Sequence, residues 1–187
     1  MRIIGGALRG RSLKAPHGLS TRPTSDRARQ ALFDVLAHAA FAPDLDGARV
    51  IDLFAGSGAL GLETLSRGAA FCLFVETAEA ARAAIQANLE ALDLFGRGRV
   101  HRRDATRLGA RPAPAGAPFD LAFLDPPYRQ GLGERAAAAL LEGGWLREGA
   151  LLVLERAADE PTPALDGFRA TDERTWGAAR MSFAVRL

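Results

Sequence analysis

The sequence predicts an α/β fold: a mostly parallel, seven-stranded sheet, covered by helices and closed at one edge by an antiparallel hairpin. Three observations carry this. From Arg49 onward, short apolar runs alternate with helical segments, the pattern that strand–helix–strand crossovers produce. Gly56-Ser57-Gly58-Ala59-Leu60-Gly61 stands between the first apolar run and the first helical one, where a tight strand-to-helix turn is needed. Residues 168–187 drop the alternation and read as two strands joined at Gly177.

Taken in order, residues 2–13 carry short apolar pieces around Gly5-Gly6 and Gly10, which predicts a small hairpin or extended arm. Arg22-Pro23-Thr24 breaks the chain. Thr24 or Ser25 can cap a helix with Asp26 in its first turn. Ala28, Ala31, Leu32, Val35, Leu36 and Ala39 then recur at helical spacing and give that helix one buried face. The parallel strands are Val50–Leu53, Phe71–Val75, Val100–Arg102, Leu121–Leu124 and Ala150–Leu154, with helices near Leu60–Arg67, Ala78–Leu92 and Leu132–Leu141. Phe168–Trp176 and Ala179–Leu187 form the hairpin. Crossovers between the parallel strands should be right-handed. Five parallel strands followed by a hairpin is the Rossmann-like layout of class I methyltransferases. The expected organisation is a basic arm and helix over residues 1–44, extending a catalytic domain over 45–187.

Composition bounds the rest. At 187 residues and 48% apolar, the chain is long enough for one domain with its own core. Cys72 is the sole cysteine, so no intramolecular disulfide forms and a reducing compartment fits. No window approaches the roughly 20 apolar residues of a membrane span, and the N-terminus lacks the apolar segment of a secretory signal. The expectation is a soluble, cytoplasmic protein. His17, His38 and His101 are scattered, so no metal is expected. Net charge is +2 but uneven: residues 1–30 hold seven basic side chains and one acid, while the remainder holds 17 basic and 21 acidic. Arginine outnumbers lysine 23 to 1, a bias that explains the residue type but not the clustering. A basic end on a mildly acidic body suggests a polyanionic partner.

The glycine loop and the acid twenty residues after Gly56, Glu76, signal a nucleoside-containing cofactor. The loop residues Ala55, Gly56 and Gly58 let backbone approach a ligand, and Glu76 can accept two ribose hydroxyls. Asp52 helps to choose the ligand. A carboxylate beside the loop would repel a pyrophosphate, whereas it favours the ammonium and sulfonium of S-adenosylmethionine. The alternative is a tight turn packing a helix on a sheet, with Asp52 as a cap. After the third strand, Asp104 can reach an adenine amine and the Ala105 N–H a ring nitrogen; a cap for a short helix is the alternative there.

Asp125-Pro126-Pro127-Tyr128 follows the apolar strand Leu121–Leu124, at the strand end where ligands of open sheets bind. An exocyclic base amine is a poor nucleophile because its lone pair is delocalised into the ring. The Asp125 carboxylate and Pro126 carbonyl can grip its two N–H bonds and localise that pair, with the prolines fixing the geometry. Tyr128, the sole tyrosine, offers a face for stacking an extruded base. A Pro-rich turn after a buried strand is the plainer reading.

Taken together, these motifs resemble those of the bacterial 16S rRNA guanine-N2 methyltransferases. Arg2-Ile3-Ile4-Gly5-Gly6-x-x-Arg9-Gly10-Arg11 is similar to that family's opening signature, and Arg22-Pro23-Thr24-x-Asp26-Arg27-x-Arg29 with Leu32-Phe33 to its second block. Asp52–Gly61 and Leu62-Glu63 match its cofactor loop, Asp125–Tyr128 its catalytic motif, and Gly144-Trp145-Leu146 with Leu152-Val153-Leu154-Glu155 its last helix and fifth strand. Gln30 stands where the family carries Glu, and the Pro-rich loop 109–118 is longer than the resemblance leads one to expect. The resemblance implies S-adenosylmethionine as cofactor, methyl transfer to a guanine N2 amine, and 16S rRNA or the small subunit as partner, acted on by a monomer. Arg9, Arg11, Arg22 and Arg27 are the candidate RNA contacts. Three readings compete: an adenine-N6 methyltransferase of DNA or RNA, an NAD-dependent oxidoreductase using the glycine loop, and a non-catalytic RNA-binding assembly factor.

Overall fold

A computed structural model describes residues 1–16 and 26–187. Its elements are α1 (Asp26–His38), β1 (Arg49–Leu53), α2 (Ala59–Ser66), β2 (Phe71–Val75), α3 (Glu79–Ala91), β3 (Gly98–His101), β4 (Phe119–Leu124), α4 (Leu132–Glu142), β5 (Leu146–Ala157), β6 (Phe168–Trp176) and β7 (Ala179–Arg186). They build one seven-stranded sheet in the order β3-β2-β1-β4-β5-β7-β6. β1 to β5 pair in parallel, and β7 runs antiparallel between β5 and β6. The class I methyltransferase layout expected from the sequence is therefore present. The strand order reverses between β1 and β4, which opens a crevice at their carboxyl ends.

Strand alternation sends successive residues to opposite faces. Val50, Phe74, Phe123 and Val153 pack with α1, α2 and α3. Ile51, Leu73, Ala122 and Leu152 pack with α4, Trp145 and the segment carrying Ala105 and Leu108. α2 is short and buried almost all round. Gly61 allows this, since a Cβ there would lie 2.3 Å from the Phe74 ring and 2.6 Å from the Cys72 sulfur. The thiol of Cys72 is fully buried, as expected of a core residue. Among the described residues, no helix is long and apolar enough to cross a membrane.

The outer side of α2 is covered by the N-terminal hairpin. Its strands meet at Arg2 and Ser12, and Ile3 and Leu13 enter the same core as α1. The Ile4 N–H donates to Glu63 Oε2 at 2.9 Å, and Glu63 Oε1 pairs with Arg67 Nε at 2.9 Å. Arg67 lies over the Phe33 ring and under Gly5, where a Cβ would meet its guanidinium at 2.3 Å. Arg29 is buried and donates to Arg2 O at 2.6 Å and Asp26 Oδ1 at 2.9 Å. Residues 1–16 and α1 are thus fastened to the body by shared core and buried polar bonds. The caps expected at Thr24 or Ser25 lie outside the described residues.

Two strands differ from expectation. β5 starts at Leu146 because its register against β4 shifts between Phe119 and Leu121; exposed Arg147, Glu148 and Gly149 break the apolar run there. β3 is an edge strand of half-buried and exposed residues, so its apolar pattern is faint. The Pro-rich loop has a structural account. Arg49, lying over the Phe71 and Phe119 rings, donates to Ala115 O at 2.5 Å and Ala117 O at 3.1 Å. Arg111 donates to Gly144 O at 2.9 Å and also to Gly116 O. The loop is stitched to the amino edge of the sheet by its own carbonyls.

Glu63 is the buried acceptor for two groups at once. Glu63→Ala should cost about 3–5 kcal/mol of stability, the range for removing one partner of a buried ion pair. Glu63→Gln keeps a neutral acceptor and should cost less. Urea unfolding of the three proteins measures both values.

Candidate active site

The site grows from the carboxyl ends of β1, β2 and β4, which are level: Asp52 is in register with Phe74 and Phe123. The loop after β1 needs positive φ at Phe54 (59°), Gly56 (54°) and Gly58 (76°), and it closes with Gly58 N–H on Ala55 O at 2.7 Å. Two carboxylates hold it. Asp52 Oδ2 accepts from Gly61 N–H at 3.0 Å, so the cap reading of Asp52 is realised. Glu76 Oε2 accepts from Gly56 N–H at 2.9 Å, and its Oε1 from Ala78 N–H at 2.8 Å. Burial pushes the Asp52 carboxyl up to about 8, the Gly61 N–H opposes this, and the Glu76 charge adds to it. A Cβ at Gly56 would meet nothing nearer than Phe54 O at 3.9 Å. Backbone is therefore open to a ligand at Gly56, whereas Gly61 is required by packing.

Beyond these ends lies a cavity of about 320 Å³, lined by Phe54, Glu76, Arg103, Asp104, Ala105, Pro127 and Arg135 among others. Glu76, Asp104 and Ala105 are brought together there from two different strand ends, as the sequence predicts. Asp52, Ala55, Gly56 and Gly58 do not line this cavity. Asp104 Oδ1 accepts from Thr106 N–H at 2.8 Å and from the Thr106 hydroxyl at 2.7 Å, and these bonds hold its carboxyl below the usual range. The local structure is a side-chain-closed turn and not a helix.

The tetrapeptide follows β4. The Asp125 N–H approaches Leu53 O at 3.4 Å, and its carboxyl is pushed well above the usual range by burial, then by the charges of Glu155 and Asp52. Pro127 lines the first cavity and also a second, of about 70 Å³, bounded by Pro126, Tyr128, Glu155, Arg156 and Pro163. The Tyr128 hydroxyl donates to Glu155 Oε1 at 2.7 Å. The next residue, Arg129, has φ of 60°. Its N–H donates to Glu160 Oε1 at 2.7 Å, and its guanidinium grips Asp159 through both oxygens.

Phe54, Arg103, Arg135 and Glu155 went unread as site residues. Glu155 closes the fifth-strand run but gave no sign of Tyr128, 27 residues earlier; Arg103 and Arg135 stood among many arginines. The candidate RNA contacts divide. α2 and α3 run back from the carboxyl edge, so their last residues lie at the amino edge. The hairpin tip sits there: Ala7 N–H donates to Ser66 O at 2.8 Å and Arg11 Nη2 to Ala91 O at 2.7 Å. The structure therefore does not bring Arg9 and Arg11 to Asp125–Tyr128, because the hairpin folds down along α2. Arg27 is exposed in the first turn of α1; Arg22 lies outside the described residues. Among the described residues, no group of three or more His, Cys, Asp or Glu could hold a metal.

Comparisons with known proteins give the chain a family and a set of relatives. A family model described as conserved hypothetical protein 95 matches residues 1–185. Ribosomal RNA small subunit methyltransferase D of Escherichia coli K12 is 40% identical over 165 residues, 88% of this chain and 79% of that protein. YlbH of Bacillus subtilis is 38% identical over 167 residues, 89% and 88% of the two chains. The solved structure of yhhF from Escherichia coli superposes with a TM-score of 0.83 at 37% identity, covering 100% of this chain and 97% of that one. The chain belongs to the conserved hypothetical protein 95 family.

The raised Asp52 pKa has a sign that can be checked. The folded chain keeps this proton between about pH 4 and 8, where the unfolded chain has lost it. Stability from this group therefore falls as pH rises toward 8. Asp52→Asn retains an acceptor for Gly61 and removes the titration. Between pH 6 and 8.5, urea melts should show the variant losing about 2 kcal/mol less than the parent.

Proposed function

We propose that this member of the conserved hypothetical protein 95 family transfers a methyl group from S-adenosylmethionine to the exocyclic N2 amine of a guanine in 16S rRNA. The observation that carries the reading is Pro127, which forms part of the wall of both cavities. Pro127 thus borders both a larger cavity carrying Glu76 and Asp104 and a smaller one carrying Pro126 and Tyr128. That is the arrangement a transfer between a nucleoside cofactor and a base requires.

The residues fit S-adenosylmethionine. The larger cavity, at about 320 Å³, falls in the range of small-molecule sites. Glu76 suits the ribose hydroxyls, Asp104 and Ala105 the adenine edge, and the open backbone at Gly56 the remainder. A cation nearby would also favour ionised Asp52. Bound there, the cofactor supplies an electrophilic methyl group. Asp125 and the Pro126 carbonyl accept the N–H bonds of the amine and direct its lone pair. In its ionised form the Asp125 carboxylate can take the proton that the methylated nitrogen sheds. Tyr128 is steadied by Glu155 and offers its ring to the base. Positioning supplies most of the rate, and no metal has a role.

The name of the Escherichia coli relative supports a small-subunit rRNA substrate, free or assembled. In this reading residues 1–44 assist RNA contact, the protein acts as a cytoplasmic monomer, and Arg27 and Arg22 meet phosphates. Contact through Arg9 and Arg11 needs an RNA that spans the sheet from edge to edge.

The assay is incubation with labelled S-adenosylmethionine and unmodified small subunits, followed by nucleoside identification. N2-methylguanosine is expected; N6-methyladenosine would move the assignment to the adenine reading, and no label in RNA would sink it. Asp125→Asn should lower kcat by roughly 100-fold or more with cofactor affinity within a few-fold. Tyr128→Ala should cost more than Tyr128→Phe, which keeps the ring and gives up the bond to Glu155.

A further inference from the structure

The strongest feature outside the site is a tract of arginine on the edge strand. Residues 97–111 hold Arg97, Arg99, Arg102, Arg103, Arg107 and Arg111 against one acid, Asp104. Three of the six are occupied. Arg97 donates to Leu65 O and Ala69 O, Arg103 to Leu108 O, and Arg111 to Gly144 O. Arg99, Arg102 and Arg107 are exposed, and their guanidinium groups make no hydrogen bond or ion pair with any described residue.

Their placement is set by the strand. A Cβ at Gly98 would strike Leu89 of α3 at 2.4 Å, and Val100 packs in that same core. Alternation turns Arg99 and His101 to the other face, where Ala105 and Leu108 pack. The chain from Arg102 to Arg107 then runs along this face to the larger cavity, whose rim carries Arg103 and, from α4, Arg135. The cations are close enough to act on their neighbours. Arg103 and Arg99 help burial to depress the His101 pKa, and Arg107 and Arg135 help the Thr106 bonds to hold Asp104 low.

We propose that Arg99, Arg102 and Arg107 form a contact surface for the phosphodiester backbone of RNA, leading from the β3 edge to the rim of the cofactor cavity. The proposal rests on the reading that this chain acts on RNA. Charge complementarity selects the occupant: forked, exposed guanidinium groups suit phosphate oxygens, and the tract that carries them runs on to the carboxyl-edge cavity that the hairpin tip does not reach. A plainer role for a charged edge strand is to block pairing with another sheet. Charge reversal separates the two, because it leaves the edge charged.

The test compares the parent with Arg99→Glu/Arg102→Glu/Arg107→Glu, none of which lines either cavity. Binding to unmodified small subunits is titrated across a salt series. The variant should bind roughly 10-fold or more weakly at low salt, and its plot of log K against log salt should be shallower by about two to three units. Affinity for S-adenosylmethionine and elution as a monomer should not change. Unchanged RNA affinity and slope would overturn the proposal, as would a loss that reappears as dimer formation. If the reversed variant does not fold by circular dichroism, the triple Gln variant replaces it and the same slope is read. A parent that neither binds nor methylates subunits defeats the proposed function; a competent parent with an unaffected variant defeats this surface alone.

Discussion

The bond from Gly61 N–H to the buried carboxylate of Asp52, 3.0 Å long, is the constraint on which the carboxyl edge depends. It joins the end of β1 to the start of α2 across a loop that has three positive-φ residues and little regular bonding of its own. With Gly61 fixed, α2 can lie close to Phe74 and Cys72, and Gly56 is presented to Glu76. The same residue sets the level of the neighbouring strands, since Asp52 pairs in register with Phe74 and Phe123. Glu76 and Asp125 emerge beyond that level. A buried acid is costly to ionise, and its retention here is the kind of local conflict that marks a functional edge.

Much of this was legible in the sequence for a physical reason. Buried parallel strands need unbroken apolar runs, so Phe71–Val75 and the core of β4 could be read directly. The glycine loop and Asp125–Tyr128 could be read because turn chemistry is local. What escaped is what depends on long-range contact. Glu155 meets Tyr128 only because β5 lies beside β4. The start of β5 at Leu146 was hidden by polar Arg147 and Glu148. The positive charge of residues 1–30 was counted correctly along the chain, but a count does not say at which end of a sheet a hairpin will turn. The bond of Arg11 to Ala91 answers that.

Arginine does several separate jobs in this molecule. Arg29 and Arg67 are buried or half-buried braces that hold the N-terminal hairpin and α1 on the body. Arg97 and Arg11 satisfy carbonyls at the ends of α2 and α3, which a helix cannot satisfy itself. Arg129 anchors the segment after the tetrapeptide to Asp159. Arg49, Arg103, Arg111 and Arg156 are likewise taken up by bonds within the fold, and only the guanidinium groups left over are available to an outside anion. A composition this rich in one residue type therefore overstates the basic surface, and its true extent is set by which guanidinium groups the backbone has already claimed.

The Pro-rich loop illustrates how a fold separates path from spelling. Arg49 and Arg111 grip the carbonyl oxygens of Ala115, Gly116 and Ala117, and every residue type has a carbonyl. The methyl groups of those alanines take no part in the grip. Evolution can rewrite many side chains of this loop while its course over the molecule stays the same, provided Arg49, outside the loop, and Arg111, near its start, are kept. Drift is thereby permitted at most positions of the loop and forbidden at its fasteners, which the Pro- and Ala-rich composition of Pro112–Pro118 does not suggest when each position is judged alone.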